Sequence, residues 1–76
     1  DQEELKDYKT LLQELFQSKF HVIPNYEILS GKGPDHNKKF EIAVKLKDEI
    51  VGIGAGTSKK EAEKNAAREA FFLFKK

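Results

Sequence analysis

Apolar and polar positions alternate along this chain with two different periods, and each change of period marks a new element. Tyr8, Leu11, Leu12, Leu15 and Phe16 fall at i, i+3, i+4, i+7 and i+8, the stripe of an amphipathic helix. Lys9, Thr10, Gln13, Glu14 and Gln17 take the opposite face. Asp7 is placed to cap the start, and the helix is expected to end near Lys19, ahead of Pro24. Phe20, Val22 and Ile23 then bridge to a first strand over 26–30. The next eight residues, GKGPDHNK, are dense in turn formers. Beyond them Phe40, Ile42, Val44 and Leu46 alternate with Glu41, Ala43, Lys45 and Lys47. That period of two predicts a half-buried strand, wet on one face. A short turn over 47–49 leads into a third strand over 50–53, and the two short links predict an antiparallel meander.

Residues 54–57 read as a turn into a second helix. Ser58-Lys59-Lys60-Glu61 is a capping box, with Ser58 as N-cap and Glu61 at the third helical position. At 100° per residue Ala62, Ala66, Ala67, Ala70, Leu73 and Phe74 gather on one side, and the small alanines allow close approach to a sheet. Phe72 lies roughly opposite, so it is expected to be partly exposed or to meet something outside this chain. The order α-β-β-β-α predicts an α+β fold, a three-stranded antiparallel sheet with two helices packed on one face. There is no internal repeat and no low-complexity segment. Residues 1–6, DQEELK, read as a linker remnant, leaving one domain over 7–76.

Composition narrows the function classes. Seventy-six residues is near the lower limit for a chain that folds without staples. With no cysteine there is neither a disulfide framework nor a thiolate metal site. The longest apolar cluster, AFFLF over 70–74, is far too short to span a membrane, and the acidic, polar start does not resemble a signal peptide. This composition suits a reducing compartment, and a cytoplasmic location is the expectation. No membrane partner and no small-molecule substrate is expected.

Enzymatic chemistry finds little support. The histidines are His21 and His36, and no HExxH pair, phosphate loop or GxSxG elbow is present. Asp35-His36 reads as an ordinary turn aspartate beside an exposed histidine. A metal site from His36 and nearby carboxylates fails on spacing and ligand number. The expectation is therefore no catalytic residue, no metal ligand and no cofactor in this chain.

Charge changes the picture through its distribution. The net +1 hides a segment over 1–30 with three lysines against six acids, net −3, and a segment over 31–76 with eleven basic residues against seven acids, net +4. Lys59, Lys60, Lys64 and Arg68 form a local basic run, which suggests a polyanionic partner. Lys59 and Lys60 stand at the positive end of a helix dipole, each costing on the order of 0.3–1 kcal/mol. A phosphate backbone in front of them would turn that cost into binding energy. Gly54 and Gly56 let backbone approach something closely or simply end a strand. Thr10, Gln13, Glu14 and Gln17 can exchange hydrogen bonds with sugar hydroxyls, and the loop offers His36 with Lys38 and Lys39 behind it. In line, these groups would make a polar–cationic–polar ruler of the kind duplex RNA demands, with 2′-hydroxyls in shallow minor grooves and phosphates lining the major groove between them.

Pro24-x-Tyr26, Gly33-Pro34-x-His36-x-x-x-Phe40 and Gly54-x-Gly56-x-Ser58-Lys59-Lys60-x-Ala62-Glu63-x-x-Ala66-Ala67 together resemble the double-stranded RNA-binding domain, from about Asp7 to Phe74. The DYKTLLQE-like start and Ala62-Glu63, where many eukaryotic relatives have Ala-Lys, resemble most the C-terminal domain of bacterial ribonuclease III. The resemblance implies that Thr10, Gln13 and Glu14 touch one minor groove and that Gly33, Pro34 and His36, with Lys38, reach the next. It implies that Ser58, Lys59 and Lys60 face the intervening phosphates, and that Tyr26, Phe40, Ala62 and Ala66 are core. Glu63 departs from the family pattern, and Lys64 is the candidate for the missing lysine contact. The cleaving residues of ribonuclease III, which use carboxylates and magnesium, would lie in a separate domain absent here, through which the parent enzyme could pair as a homodimer. This chain would then position double-stranded RNA without cutting it. The alternative is a protein-interaction or dimerisation module on the same fold, with Phe71 and Phe72 as its apolar patch.

Overall fold

The computed structural model describes residues 7–30 and 39–75. Along the chain run α1 (Tyr8–Phe20), β1 (Asn25–Ser30), β2 (Phe40–Leu46), β3 (Glu49–Gly56) and α2 (Lys59–Lys75). The strands form one antiparallel sheet in the order β1-β2-β3. Both helices lie on one face of it, with α2 against β3 and β2 and α1 against α2.

Each end of α1 is closed by local chemistry. Asp7 caps it as expected, one carboxylate oxygen accepting from the Thr10 amide at 3.3 Å and the other from the Thr10 hydroxyl at 2.7 Å. At the far end the helix runs to Phe20. His21 adopts the left-handed conformation (φ 59°), and its amide donates to the Gln17 carbonyl at 3.2 Å.

The third strand is longer than the apolar run suggests. It covers Glu49–Gly56, so Gly54 and Gly56 are strand residues and not part of a turn. The reason lies in what faces them. Tyr26, Val44 and Gly52 pair across the sheet, as do Ile28, Ile42 and Gly54. The α2 backbone rests on these glycines. A Cβ on Gly54 would sit 2.1 Å from the Ala66 nitrogen and 2.5 Å from the Ala62 oxygen, and one on Gly52 would sit 2.7 Å from the Ala66 oxygen. Glycine on the strand and alanine on the helix together let the two backbones touch.

The core joins Tyr8, Leu12 and Phe16 of α1, Val44 of β2, and Ala66, Ala67 and Ala70 of α2. Ala62 and Ile42 are fully buried with them, while Tyr26 and Phe40 are half-buried. Phe16, Phe20 and Phe74 close the far end with ring centroids 5.3–5.7 Å apart. Two positions differ from the periodic pattern. Ala43 has the parity of the wet face yet is buried, because it is a small side chain flanked by Glu27 and Ile53. Leu73 shares the phase of the buried alanines but is 55% exposed. It lies one turn past Ala66 and Ala70, the last alanines that Gly52 meets. Phe72 is 42% exposed, and what it meets belongs to this chain: its ring lies 5.8 Å from that of Tyr8 and 5.6 Å from that of Phe71.

Candidate nucleic-acid interface

The start of α2 is where cationic side chains and the positive end of a helix meet. The helix begins at Lys59, so Lys59 and Lys60 do occupy its first two positions, both exposed. Ser58 caps it, its hydroxyl accepting from the Glu61 amide at 3.1 Å. The second half of the box takes a different form from the one expected. The Glu61 carboxylate reaches past Ser58 and accepts from both the amide and the hydroxyl of Thr57, at 2.7 and 3.0 Å. Those two bonds, helped by nearby Lys64, hold the Glu61 carboxyl below its ordinary range. The Glu61 carboxylate thus keeps its charge beside Lys60 and Lys64, with one oxygen turned back onto Thr57.

Ser58, Lys60, Glu61 and Lys64 line one surface cleft of about 260 Å³. Lys60 and Lys64 are four residues apart, on one helix face. The start of α2 is anchored from the sheet side as well. The Asn65 side-chain amide donates to the Ala55 carbonyl at 2.7 Å, tying α2 to β3 behind the cleft.

On α1, Thr10, Gln13 and Glu14 are exposed, as the helical phase requires. The Thr10 hydroxyl donates to Asp7, so what it has left to offer a ligand is acceptor capacity. Gly33, Pro34, His36 and Lys38 lie outside the described residues. Two of the three regions implied by the resemblance can therefore be placed, one on α1 and one at the start of α2.

Glu63 lies elsewhere than the cleft. It faces α1, where its carboxylate accepts from the Lys9 ammonium at 2.7 Å. That ammonium also sits 5.3 Å from the centre of the Tyr26 ring on β1. The Tyr26 hydroxyl is buried and has no hydrogen-bond partner among the described residues. Burial first, and then the Glu63 and Asp7 carboxylates, push its phenol up to about 12. Pattern reading passed over Lys9 and Glu63 as partners because 54 residues separate them. The one signal was helical phase, which puts Glu63 a single turn before buried Ala67. Thr57 was overlooked for a simpler reason: a threonine just before an N-cap serine is not part of the usual box.

Among the described residues no group of three or more His, Cys, Asp and Glu side chains could hold a metal ion. None of their helices is long and apolar enough to cross a membrane.

Comparison with known proteins gives a consistent result. The family model described as "Double-stranded RNA binding motif" matches residues 8–71. Ribonuclease 3 of Natranaerobius thermophilus is 49% identical over 71 residues, covering 93% of this chain and 31% of that protein. Ribonuclease 3 of Campylobacter fetus is 56% identical, covering 82% of this chain and 28% of that protein. The chain thus spans about a third or less of the length of these curated relatives. Among solved structures, DRB4 dsRBD2 superposes with a TM-score of 0.67 at 34% identity, covering 90% of this chain and 94% of the other. Dicer from Pichia stipitis superposes with a TM-score of 0.71 at 21% identity, covering 87% of this chain and 32% of the other, a likeness of fold alone.

Proposed function

The chain belongs to the double-stranded RNA binding motif family, and from that premise we propose that it grips duplex RNA by shape. Thr10, Gln13 and Glu14 meet the sugar edge of one minor groove. Lys59, Lys60 and Lys64, with the Ser58 cap, face phosphates across the adjoining major groove. Gly33, Pro34, His36 and Lys38 reach the next minor groove. The observation that carries the reading is the cleft at the start of α2, where Lys60 and Lys64 stand together while Glu61 is engaged by Thr57. A phosphate there meets two ammonium groups and the positive end of a 17-residue helix, which together outweigh the one Glu61 carboxylate that also lines the cleft. Lys64 supplies the cation that Glu63, turned toward α1, does not.

The contacts imply a preference for RNA. Thr10 gives its proton to Asp7 and so accepts best, and a ribose 2′-hydroxyl is a donor that deoxyribose lacks. Sequence preference should be weak, because A-form grooves hide base identity from side chains. In the longer protein that the Ribonuclease 3 relatives suggest, this domain would hold the substrate for an RNA endonuclease domain. The hydrolytic step is assigned to no residue of this chain, and the magnesium it uses would be held in that other domain.

The test is a titration of the domain with a duplex of roughly 20 base pairs, longer than the ~16 such a domain spans, as RNA and as DNA. The RNA should bind clearly tighter. For about three to five neutralised phosphates, log K should fall against log salt with a slope of roughly −2.7 to −4.5. Lys59→Ala with Lys60→Ala should weaken binding while leaving the circular dichroism spectrum unchanged. Equal affinity for both duplexes, or for parent and double variant, refutes the reading. Exposed Phe72 and Leu73 favour a protein-interaction module as the second reading, for which sedimentation would show self-association without RNA.

A further inference from the structure

The ion pair between Lys9 and Glu63 joins the two elements that carry the proposed groove contacts. Lys9 precedes Thr10 on α1, and Glu63 precedes Lys64 on α2. The other contacts of α1 with α2 described above are largely apolar: Tyr8 against Phe71 and Phe72, and Phe16 and Phe20 against Phe74. Ring packing holds helices together but resists sliding weakly, since dispersion and burial have little directionality. A 2.7 Å charge-assisted hydrogen bond is directional. The Lys9 ammonium is restrained from a third side by the Tyr26 ring on β1, and the Glu63 side chain is only 29% exposed. One cation is thus shared among α1, α2 and β1, next to the first turn of α1.

Resting on the duplex-binding reading, we propose that Lys9 and Glu63 are a positioning pair. They set the offset between the minor-groove face of α1 and the phosphate-facing lysines of α2. The acidic side chain of Glu63, turned from the cleft to Lys9, serves the spacing of the two contact regions instead of adding a phosphate contact. A rigid duplex presents grooves and phosphates at fixed separation, so a protein that meets both gains from a pre-set distance.

The decisive variant is Glu63→Gln, because charge and position predict opposite signs. Removing an acid near a polyanion should strengthen binding if charge alone matters. Loosening a positioning pair should weaken it, by roughly two- to fivefold for a partly exposed ion pair. The exchange Lys9→Glu with Glu63→Lys keeps the net charge and the pair, and should return affinity to within about twofold of the parent. Circular dichroism melting of every variant controls for folding, and a chain unfolded at the assay temperature counts against the proposal. Binding by Glu63→Gln equal to or tighter than the parent, or no recovery in the exchanged pair, overturns it while leaving the duplex reading intact. Absence of binding by the parent overturns both.

Discussion

Replacing Gly54 with alanine tests the packing on which the interface depends. A Cβ there would lie 2.1 Å from the Ala66 nitrogen, 2.5 Å from the Ala62 oxygen and 2.6 Å from the Asn65 carbonyl carbon. All three are helix backbone, which cannot swing aside as a side chain can. The worst contact is about 1.3 Å short of ordinary van der Waals approach, so α2 has to lift from the sheet by about that much, and gaps of 0.5–1 Å already forfeit a quarter to a half of each dispersion well. Ala62, Ala66 and Ala70 are fully buried and lose contact together. Overpacking typically costs about 1–3 kcal/mol, and three backbone clashes place this substitution at about 3 kcal/mol or above. A chain of this size holds roughly 4–11 kcal/mol in total, and the expected fall in Tm is about 12–24 °C. Thermal unfolding followed by circular dichroism at 222 nm reads it directly. The sign decides the matter. Without a helix pressed on it, alanine in a strand is better than glycine by roughly 0.5–1 kcal/mol, so an unchanged or raised Tm would refute the reasoning. Gly56→Ala gives the internal contrast. Its Cβ would lie 2.7 Å from Glu61 Cγ and 2.8 Å from Glu61 Cβ and Oε1; the carboxylate can move at the expense of its bonds to Thr57 but the Cβ follows the helix, so the cost should be about 1–2 kcal/mol, below that of Gly54→Ala.

Tyr26→Phe removes a buried hydroxyl with no partner among the described residues, so stability should hold within about 1 kcal/mol or rise; a urea-measured loss above about 2 kcal/mol would contradict this. The cap carboxyls of Asp7 and Glu61 are each held below their ordinary values of 3.8 and 4.5. Their stabilisation is therefore complete above those values and is lost as pH falls through the lower folded ones. Asp7→Asn combined with Glu61→Gln should flatten the acid side of a stability-versus-pH curve below about pH 5, and an unchanged slope would remove the caps as its cause.

Much of this protein is local and was therefore legible along the chain. Helix α1 follows from five apolar residues at helical spacing and an aspartate in front of them, each acting within a turn or two. The same holds for β2, whose alternation is a property of neighbouring residues, and for the first two positions of α2, where Lys59 and Lys60 stand as expected. The family motifs placed Thr10, Gln13, Glu14, Ser58, Lys59 and Lys60 on the two elements that display them.

Tertiary structure decided what depends on residues far apart in sequence. Gly54 looked like a turn because glycine is ambiguous alone, and only the α2 backbone lying on it shows that a side chain has no room. Leu73 has the phase of the core yet is exposed, because phase does not say what packs against that turn. Glu61 and Glu63 are both acids on one helix, but one closes onto Thr57 and the other crosses to Lys9. Periodicity states which way a residue points on its own element. What stands there to meet it is set by the packing of elements against one another, and that is a property of the folded whole.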